Sequence, residues 1–194
     1  MNEFPDRLFI EERAGKQGLG TAYIHGFKWA LQRDYGFVFE MDADFSHNPE
    51  DLKRLYDAAN NTGADLVIGS RYITGINVVN WPLRRVLMSY FASVYVRLIT
   101  RVNVRDTTAG FICYARRVLQ AMDLGQLKFS GYAFQIEMKF IAWKLGFQII
   151  EIPILFAGRA QGKSKMGKGI FQEAFFGVWD LRWRGLTKRF QRPE

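Results

Sequence analysis

Two aspartates at the end of an apolar run are the residues whose type and spacing best suit chemistry. Asp42 and Asp44 follow the apolar run 37–41 and are separated by a single alanine. Carboxylate oxygens are preferred ligands of Mg²⁺ and Mn²⁺, and a metal ion that keeps open positions can bridge the oxygens of a diphosphate. We therefore interpret the pair as metal ligands beside a substrate diphosphate, as in a nucleotide-sugar site.

The residues after this pair indicate where it lies in the fold. Asn48 suits a helix N-cap and Pro49 suits the first helical position. The acidic residues Glu50 and Asp51 follow, where the helix dipole favours negative charge. The carboxylates would then lie between a strand and a helix, where open α/β sheets bind ligands. An Asp-x-Asp triplet alone is common in solvated loops, so the interpretation depends on this context.

Strands and helices are predicted to alternate along most of the chain. The sequence predicts strands at residues 8–12, 37–41, 65–70, 110–114 and 147–156, and helices at residues 21–33, 49–60, 83–100, 134–145 and 170–186. This alternation is typical of a parallel sheet flanked by helices, and the crossover rule makes successive strands neighbours. We therefore predict an α/β fold, with one domain over residues 1–169 and an aromatic, basic helix in residues 170–194.

Composition limits the partners and the compartment. The chain has 194 residues, of which 48% are hydrophobic, enough for one core. Its net charge of +8 favours an anionic partner such as nucleic acid, a membrane surface or a phosphate-bearing substrate. The single cysteine, Cys113, excludes an internal disulfide and a Cys-based zinc site, and indicates a reducing compartment. No apolar run reaches the roughly 18 residues that span a bilayer, so the chain could touch a membrane but not cross it. We expect a cytoplasmic protein that is peripheral to the cytoplasmic face of a membrane.

A glycine-rich loop and several basic residues are candidate anion ligands. Lys16 and Gly18 precede a predicted helix, whose free N–H groups suit an anion. The alternative is that the glycines serve only a tight turn before the helix. Arg71 and Arg159 each follow an apolar strand, so we expect both at the edge that carries the aspartates. Guanidinium groups there could hold a phosphate by bidentate bonds. Lys165 adds charge to a predicted basic loop.

Three further features have weaker interpretations. Residues 106–110, Asp-Thr-Thr-Ala-Gly, could form a polar network beside the site or an ordinary turn. His47 follows Asp44 closely enough to approach the metal, whereas Glu137 and Glu151 are expected to have structural roles only.

Five sequence blocks in order carry a family resemblance. They are Glu40-Met-Asp-Ala-Asp-Phe-Ser-His-Asn-Pro49, Gly69-Ser-Arg-Tyr72, Asp106-Thr-Thr-Ala-Gly-Phe111, Gly131-Tyr-Ala-Phe-Gln-Ile-Glu137 and Arg159-x-x-Gly-x-Ser-Lys165. Together they resemble the polyprenol (dolichol) phosphate mannose synthases of glycosyltransferase family 2, from residue 4 to the C-terminus. The resemblance implies a GT-A-like fold with a mixed, mostly parallel sheet, a GDP-mannose donor, a Mg²⁺ or Mn²⁺ ion and a polyprenyl phosphate acceptor.

The resemblance also implies roles for individual residues. Asp42 and Asp44 look like the ligands of the metal and diphosphate. The residues that look like ligands of the acceptor and donor phosphates are Arg71, Arg85 with Ser89, and Arg159 in its loop. Asp42, Asp44 and Arg71 are therefore the candidate catalytic residues, and Lys16, Gly18, Arg85, Ser89, Arg159 and Lys165 are the candidate substrate-binding residues.

The chain departs from the family pattern at its start. Family members begin with a strand, a Pro-x-Tyr-Asn-Glu-like turn and an Asp-Asp-Gly-Ser strand end that hold the nucleotide. This sequence starts after those elements, so we expect an N-terminally truncated sheet with an exposed apolar edge. The residues that would distinguish GDP from UDP are among those missing.

Three alternatives remain at this point. The chain could be a related transferase that uses a UDP-sugar, or an inactive fragment that binds phosphorylated lipid. A nucleic-acid binder is suggested by charge alone, and no nucleic-acid motif supports it. The aromatic residues of the last helix, near Arg182 and Arg184, suit either a membrane interface or packing on the core. These residues are Phe175, Phe176, Trp179 and Trp183.

Overall fold

The computed structural model describes residues 7–15, 17–158, 168–187 and 190, together with the backbone but not the side chains of 168–174. Helices and strands alternate through most of this part of the chain. Their bounds are α1 Leu19–Leu31, β1 Phe37–Glu40, α2 Asp51–Thr62, β2 Leu66–Ser70, β3 Val78–Val79, α3 Leu83–Thr100, β4 Ile112–Ala115, α4 Arg116–Ala121, α5 Ala133–Lys144, β5 Ile149–Pro153, β6 Phe156–Ala157 and α6 Lys168–Thr187. The predicted helices agree to within a few residues, whereas residues 8–12 form no strand.

The main sheet has the strand order β1-β4-β2-β5. Strand β4 pairs antiparallel with both β1 and β2, and β2 pairs parallel with β5. Strands β1, β2 and β5 therefore run in one direction and β4 runs in the other. The prediction that β1 and β2 are neighbours was wrong, because β4 lies between them. All four residues of β4 are buried, as suits a central position.

A second, smaller sheet pairs β3 with β6 in parallel. Two-residue strands have no usable periodicity, so the sequence did not predict it. The Ala157 backbone N–H donates to the Ser46 carbonyl at 3.1 Å, and the Gly158 N–H donates to the Val79 carbonyl at 2.9 Å. This sheet therefore joins the segment before α3, the end of β6 and the loop that carries Asp44.

Side chains of the main sheet alternate between two apolar clusters. Leu66, Ile68 and Tyr114 face a cluster that also includes residues of α1, α3, α5 and α6. Val67 and Cys113 face the opposite cluster, which α2 covers. The alternation follows the two-residue period of a strand, so it fixes which residues point toward which helices.

Helix α6 packs closely against α3 and α5. A Cβ atom added to Gly177 would lie 2.8 Å from the Phe129 ring, and one added to Gly185 would lie 2.6 Å from the Phe140 ring. The Glu137 carboxylate is fully buried and accepts a hydrogen bond from Arg184 of α6. None of the described helices is long and apolar enough to cross a membrane. Helix α6 therefore adds to the core while it presents aromatic side chains outward.

Candidate active site

A cavity of about 410 Å³ opens where β1, β2 and β5 end, beneath α3 and α6. Asp42 follows β1 and Arg71 follows β2, and both line this cavity. Arg85 and Ser89 of α3 line it as well. Since β1 and β2 run in the same direction, their carboxyl ends lie at one edge of the sheet. The structure thus brings four of the predicted site residues to one place.

The two aspartates occupy a tight loop after β1. The Tyr23 hydroxyl donates a hydrogen bond to Asp42 Oδ1 at 3.3 Å, and the Ser46 backbone N–H donates to Asp44 Oδ1 at 3.1 Å. Phe45 has a φ of 60° and is 82% exposed. Both aspartates are half-buried, although Asp42 lines the cavity and Asp44 is not among its lining residues.

The chemistry of this loop fits a hard divalent cation. Its carboxylate oxygens are of the type that Mg²⁺ and Mn²⁺ prefer. The Ser46 hydroxyl is buried in the same turn and makes no hydrogen bond within the described residues. The pair does not belong to a larger cluster, because no group of three or more His, Cys, Asp or Glu side chains converges in the described ranges. The metal role of Asp42 and Asp44 stays a prediction.

Arg71 is buried and rigidly held by Asp106. Its Nε and Nη2 atoms each donate to the Asp106 carboxylate at 2.7 Å, and its backbone N–H donates to the same carboxylate at 3.0 Å. Nη2 also donates to Thr108 Oγ1 at 2.8 Å. Burial acts to raise the pKa of Asp106, but Arg71 holds it below its usual value. Residues 106–110 therefore form the polar network that the sequence suggested.

This pairing changes how Arg71 can act on a substrate. We expected its guanidinium to hold a phosphate through two parallel bonds, but Asp106 occupies the Nε and Nη2 edge. Nη1 is the nitrogen that neither Asp106 nor Thr108 engages. Arg71 therefore offers a substrate the Nη1 group as a donor, and not two parallel N–H groups. The orientation of its guanidinium is set before any substrate binds.

Arg85 is placed by an aromatic contact. Its guanidinium carbon lies 3.8 Å from the centroid of the Trp81 ring, a cation–π geometry. Trp81 packs against Phe156 at 5.2 Å between ring centroids, so β6 supports the arrangement. Ser89 is one helical turn after Arg85 and therefore shares its face of α3. Trp81 is a site residue that the sequence interpretation missed.

His47 lies on the cavity wall between aromatic rings. The ring centroids of Phe111 and Phe156 are 4.9 Å and 5.1 Å from that of the imidazole. Burial lowers the pKa of His47, so the ring is neutral at pH 7. His47 lines the same cavity as Asp42, and its expected approach to the metal stays a prediction.

A group of buried ionisable side chains lies beneath the cavity. Burial raises the pKa of Glu40 to about 8, although Lys139 and a hydrogen bond from Tyr114 act to lower it. Burial lowers the pKa of Lys139 to about 8, against the opposing charges of Glu40 and Asp106. Sequence inspection missed Lys139. Its one signal was a lysine between the apolar residues Met138 and Phe140 of α5.

The glycine-rich loop lies at the N-terminus of α1, next to the cavity through Leu19. Gly18 has a φ of 98°, and a Cβ there would lie 2.9 Å from the Ser130 carbonyl oxygen. The conformation therefore requires glycine for steric reasons. Its predicted role in binding stays a prediction. Lys16, Arg159 and Lys165 lie outside the described residues.

Taken together, these features define an α/β domain whose sheet edge carries carboxylates and arginines around a partly apolar cavity, as in enzymes that act on phosphate-bearing substrates. A family model described as glycosyl transferase family 2 matches residues 1–122. The chain belongs to this family of glycosyltransferases, as the sequence blocks had indicated.

Two curated relatives are similar over most of the chain. The polyprenol monophosphomannose synthase of Mycolicibacterium smegmatis is 47% identical over 182 residues, which are 93% of this chain and 68% of that protein. The undecaprenyl-phosphate mannosyltransferase of Micrococcus luteus is 47% identical over 186 residues, 94% of this chain and 76% of that protein.

Solved structures confirm the fold. Glucosyl-3-phosphoglycerate synthase from Mycobacterium tuberculosis, in complex with uridine diphosphate, matches with a TM-score of 0.58 at 16% identity. The match covers 90% of this chain and 57% of that one. The same enzyme with Mn²⁺ and UDP-glucose gives a TM-score of 0.54 at 17% identity and covers 95% and 57% of the two chains. The chain thus spans little more than half of these structures, and the GT-A-like α/β prediction is confirmed.

Proposed function

We propose that this protein transfers mannose from GDP-mannose to the phosphate of a polyprenyl phosphate, with inversion at the anomeric carbon. Two relatives that are 47% identical carry names describing mannosyl transfer or polyprenyl-phosphate mannose synthesis. The observation that carries the proposal is the convergence of Asp42, Arg71, Arg85 and Ser89 in one cavity. Such a site has separate groups for a metal-bound diphosphate and for a second phosphate.

In this proposal Asp42 and Asp44 hold a Mg²⁺ or Mn²⁺ ion. When bound, the ion supplies positive charge that stabilises the leaving diphosphate. Tyr23 supports the site by donating a hydrogen bond to Asp42.

In this proposal the chain's own polar groups orient the acceptor. An oxygen of the acceptor phosphate attacks the anomeric carbon as the bond from that carbon to the donor diphosphate breaks on the opposite face. The acceptor oxygen is already anionic at pH 7, so no strong general base is required. Arg71, through Nη1, and Arg85 would hold the acceptor phosphate, and Ser89 would add a neutral donor.

The polyprenyl tail requires an apolar path to the site. Met88 and Phe91 of α3 and Phe175 and Val178 of α6 form an apolar wall of the cavity. Outside the cavity, Leu98, Phe176, Trp179, Trp183 and Leu186 are exposed on the same two helices. We propose that this surface rests on the cytoplasmic face of a membrane, where the lipid tail can enter between α3 and α6.

The test is transfer of radiolabelled mannose from GDP-mannose to polyprenyl phosphate with Mg²⁺ or Mn²⁺. We expect product from the wild-type chain and a loss of at least about a hundredfold in Asp44→Asn. Asp57→Asn, an exposed carboxylate paired with Lys53 on α2, is the matched control and should keep wild-type activity.

Parallel reactions separate the alternatives. Transfer from UDP-glucose but not from GDP-mannose would replace the donor in the proposal. Binding of polyprenyl phosphate by a folded chain without transfer from either donor would favour a lipid-binding role. Equal activity in Asp44→Asn and the wild-type chain would exclude the predicted metal site.

A further inference from the structure

Lys139 is a buried cation that the proposed mechanism does not use. It lies on α5 with an exposed fraction of 0%. Its Nζ atom donates to the Ala109 carbonyl at 2.6 Å and to the Gln135 carbonyl at 3.2 Å. An ammonium group removed from water is costly unless hydrogen bonds compensate it. A buried lysine that contacts the cavity-lining loop therefore needs a physical explanation.

The Ala109 carbonyl belongs to the loop that forms one wall of the cavity. Thr108, Ala109 and Gly110 line the cavity directly. On another side of the same loop, the Glu151 carboxylate accepts the backbone N–H groups of Arg105 at 2.6 Å and of Asp106 at 2.9 Å. The loop is thus held by an anion of β5 near its start and by the ammonium of α5 near its end.

This loop also fixes Arg71. Asp106 lies in the loop and accepts three hydrogen bonds from the backbone and guanidinium of Arg71. Thr108, one residue before Ala109, accepts a fourth. A shift of the loop would therefore move the carboxylate and the hydroxyl that orient the guanidinium.

The charges around Lys139 agree with this role. Asp106 and Glu151 stabilise its positive charge, as does Glu40 when it is ionised, and Arg71 opposes it. The ammonium is therefore part of the same electrostatic group as the Asp106–Arg71 pair, although its hydrogen bonds are to backbone carbonyls. A neutral side chain of similar length would fill the space but would release the Ala109 carbonyl.

We propose that Lys139 is a positioning residue, which anchors the 105–110 loop and through Asp106 sets the orientation of Arg71 toward the acceptor phosphate. The inference rests on the proposed function, since it concerns the phosphate that Arg71 would hold. It predicts a defect in binding the acceptor phosphate rather than a general loss of active protein.

The experiment uses the full chain and geranyl phosphate, a short soluble polyprenyl phosphate. Binding is followed by tryptophan fluorescence without donor, because Trp81 lies against Arg85 in the cavity. We expect Lys139→Met to raise the Kd about tenfold, the effect of losing one well-placed hydrogen bond to a charged group. Geraniol, which lacks the phosphate, should bind the variant and the wild-type chain equally.

The matched control is Lys144→Met, at the end of the same helix, where the ammonium lies over the Trp143 ring at 5.2 Å. It should change the Kd less than twofold.

In transfer assays, Lys139→Met should raise KM for the acceptor about tenfold and leave KM for GDP-mannose within twofold. A purely structural role would lower kcat through loss of folded enzyme and leave both KM values unchanged.

Two comparisons keep the outcomes distinct. If Lys139→Met fails to fold, the double variant Glu40→Gln/Lys139→Met removes both buried ionisable groups and should show the same Kd defect. A folded variant with wild-type Kd would overturn the inference, provided that Arg71→Lys weakens binding. If Arg71→Lys binds geranyl phosphate like the wild-type chain, or the wild-type chain does not bind it, the proposed acceptor site itself is wrong.

Discussion

Glu40 lies at the end of β1, two residues before Asp42, and it is almost fully buried. Tyr114 donates a hydrogen bond to its Oε1 atom at 3.2 Å. Burial nevertheless raises the pKa of Glu40 to about 8, so the carboxyl is mostly protonated at pH 7 in the folded protein. A neutral acid here avoids placing a further negative charge directly beside the predicted metal and diphosphate ligands.

This shift predicts a stability profile with a definite sign. The folded protein keeps a proton on Glu40 between pH 4.5 and about 8, whereas the unfolded chain has released it. The free energy of unfolding should therefore fall as the pH rises through this window, by at most about 1.4 kcal/mol per pH unit. Lys139, with a pKa lowered from 10.5 to about 8, contributes only above the window.

The measurement is urea denaturation of the wild-type chain and of Glu40→Gln across this window. The variant has a neutral amide at every pH, so its unfolding free energy should decline less steeply. Glu50→Gln, at an exposed position, is the control and should follow the wild-type profile. Parallel profiles for wild type and Glu40→Gln would show that Glu40 is ionised in the folded protein.

Sequence alone could identify the site residues whose positions follow from local pattern. Asp42 and Arg71 each come directly after an apolar strand, and Arg85 with Ser89 are one turn apart on a helix that the pattern predicted. Tyr23 and Lys139 could not be found in this way. Tyr23 contacts Asp42, 19 positions away, and Lys139 contacts Ala109, 30 positions away. The spacing of residues along the chain does not predict such contacts.

At the scale of elements, Glu137 of α5 joins α6 to the segment before α5. Its carboxylate accepts the backbone N–H groups of Lys128 at 2.9 Å and of Phe129 at 3.1 Å, and Arg184 Nη2 donates to it at 2.5 Å. Glu137 therefore has a structural role, as expected from the sequence, because it anchors α6 and the segment before α5 to the core.

Glu137→Gln should lower the free energy of unfolding by about 3 kcal/mol, because it leaves the partly buried Arg184 without its full counter-charge. Urea denaturation measures the change. Asp57→Asn removes an exposed pair in which Lys53 is 80% and Asp57 43% exposed, and it should cost less than about 0.5 kcal/mol. Equal costs for the two substitutions would contradict the anchoring role of Glu137.

The outer surface of α3 and α6 gives a second prediction at this scale. Trp183 is 68% exposed and Phe91 of α3 is 60% exposed. Amphipathic aromatic side chains of this kind favour the boundary between lipid head groups and acyl chains. Trp183→Ala should therefore weaken association with phosphatidylglycerol vesicles roughly tenfold in a co-sedimentation assay.

Tyr56→Ala is the matched control for this prediction. Tyr56 is also exposed, but it lies on α2, which covers the opposite face of the sheet. The substitution should leave vesicle binding unchanged. If both variants bind like the wild-type chain, the aromatic residues of α6 do not contact the membrane.

The strand order shows what local pattern cannot predict. Every strand of the main sheet lies within or beside a predicted one, since runs such as residues 65–70 are apolar and bounded by turn residues. The position of β4 between β1 and β2 depends on pairing across at least 44 residues of chain, between Ile68 and Ile112. The crossover rule fixes handedness for parallel neighbours and leaves open whether a later strand inserts between them.

At the scale of the whole molecule, the net charge of +8 and the apolar surface act together. Arg84, Arg97 and Arg101 are exposed on or directly after α3, near the apolar side chains of that helix. Long-range attraction to an anionic surface would orient the protein before the aromatic residues make contact. Charge alone left nucleic acid as an alternative, which family membership and the cavity do not support.

Binding to vesicles should accordingly depend on both lipid charge and salt. Raising the NaCl concentration from about 0.05 M to about 0.5 M shortens the Debye length several-fold and should weaken binding to phosphatidylglycerol vesicles by at least about tenfold. Binding to phosphatidylcholine vesicles should be weak and nearly independent of salt. Co-sedimentation at each concentration provides the measurement, and salt-independent binding to the anionic vesicles would contradict the electrostatic contribution.

The close approach of α6 at Gly177 and Gly185 has a consequence for the dimensions of the site. Since Phe175 and Val178 of the same helix line the cavity, the separation of α6 from Phe129 and Phe140 also sets the width of that cavity. Because glycine has no Cβ atom, α6 can approach these two rings more closely than it could with any other residue at either position. A methyl group at either position would push the helix outward by a fraction of an ångström and change which hydrocarbon branches fit in the cavity.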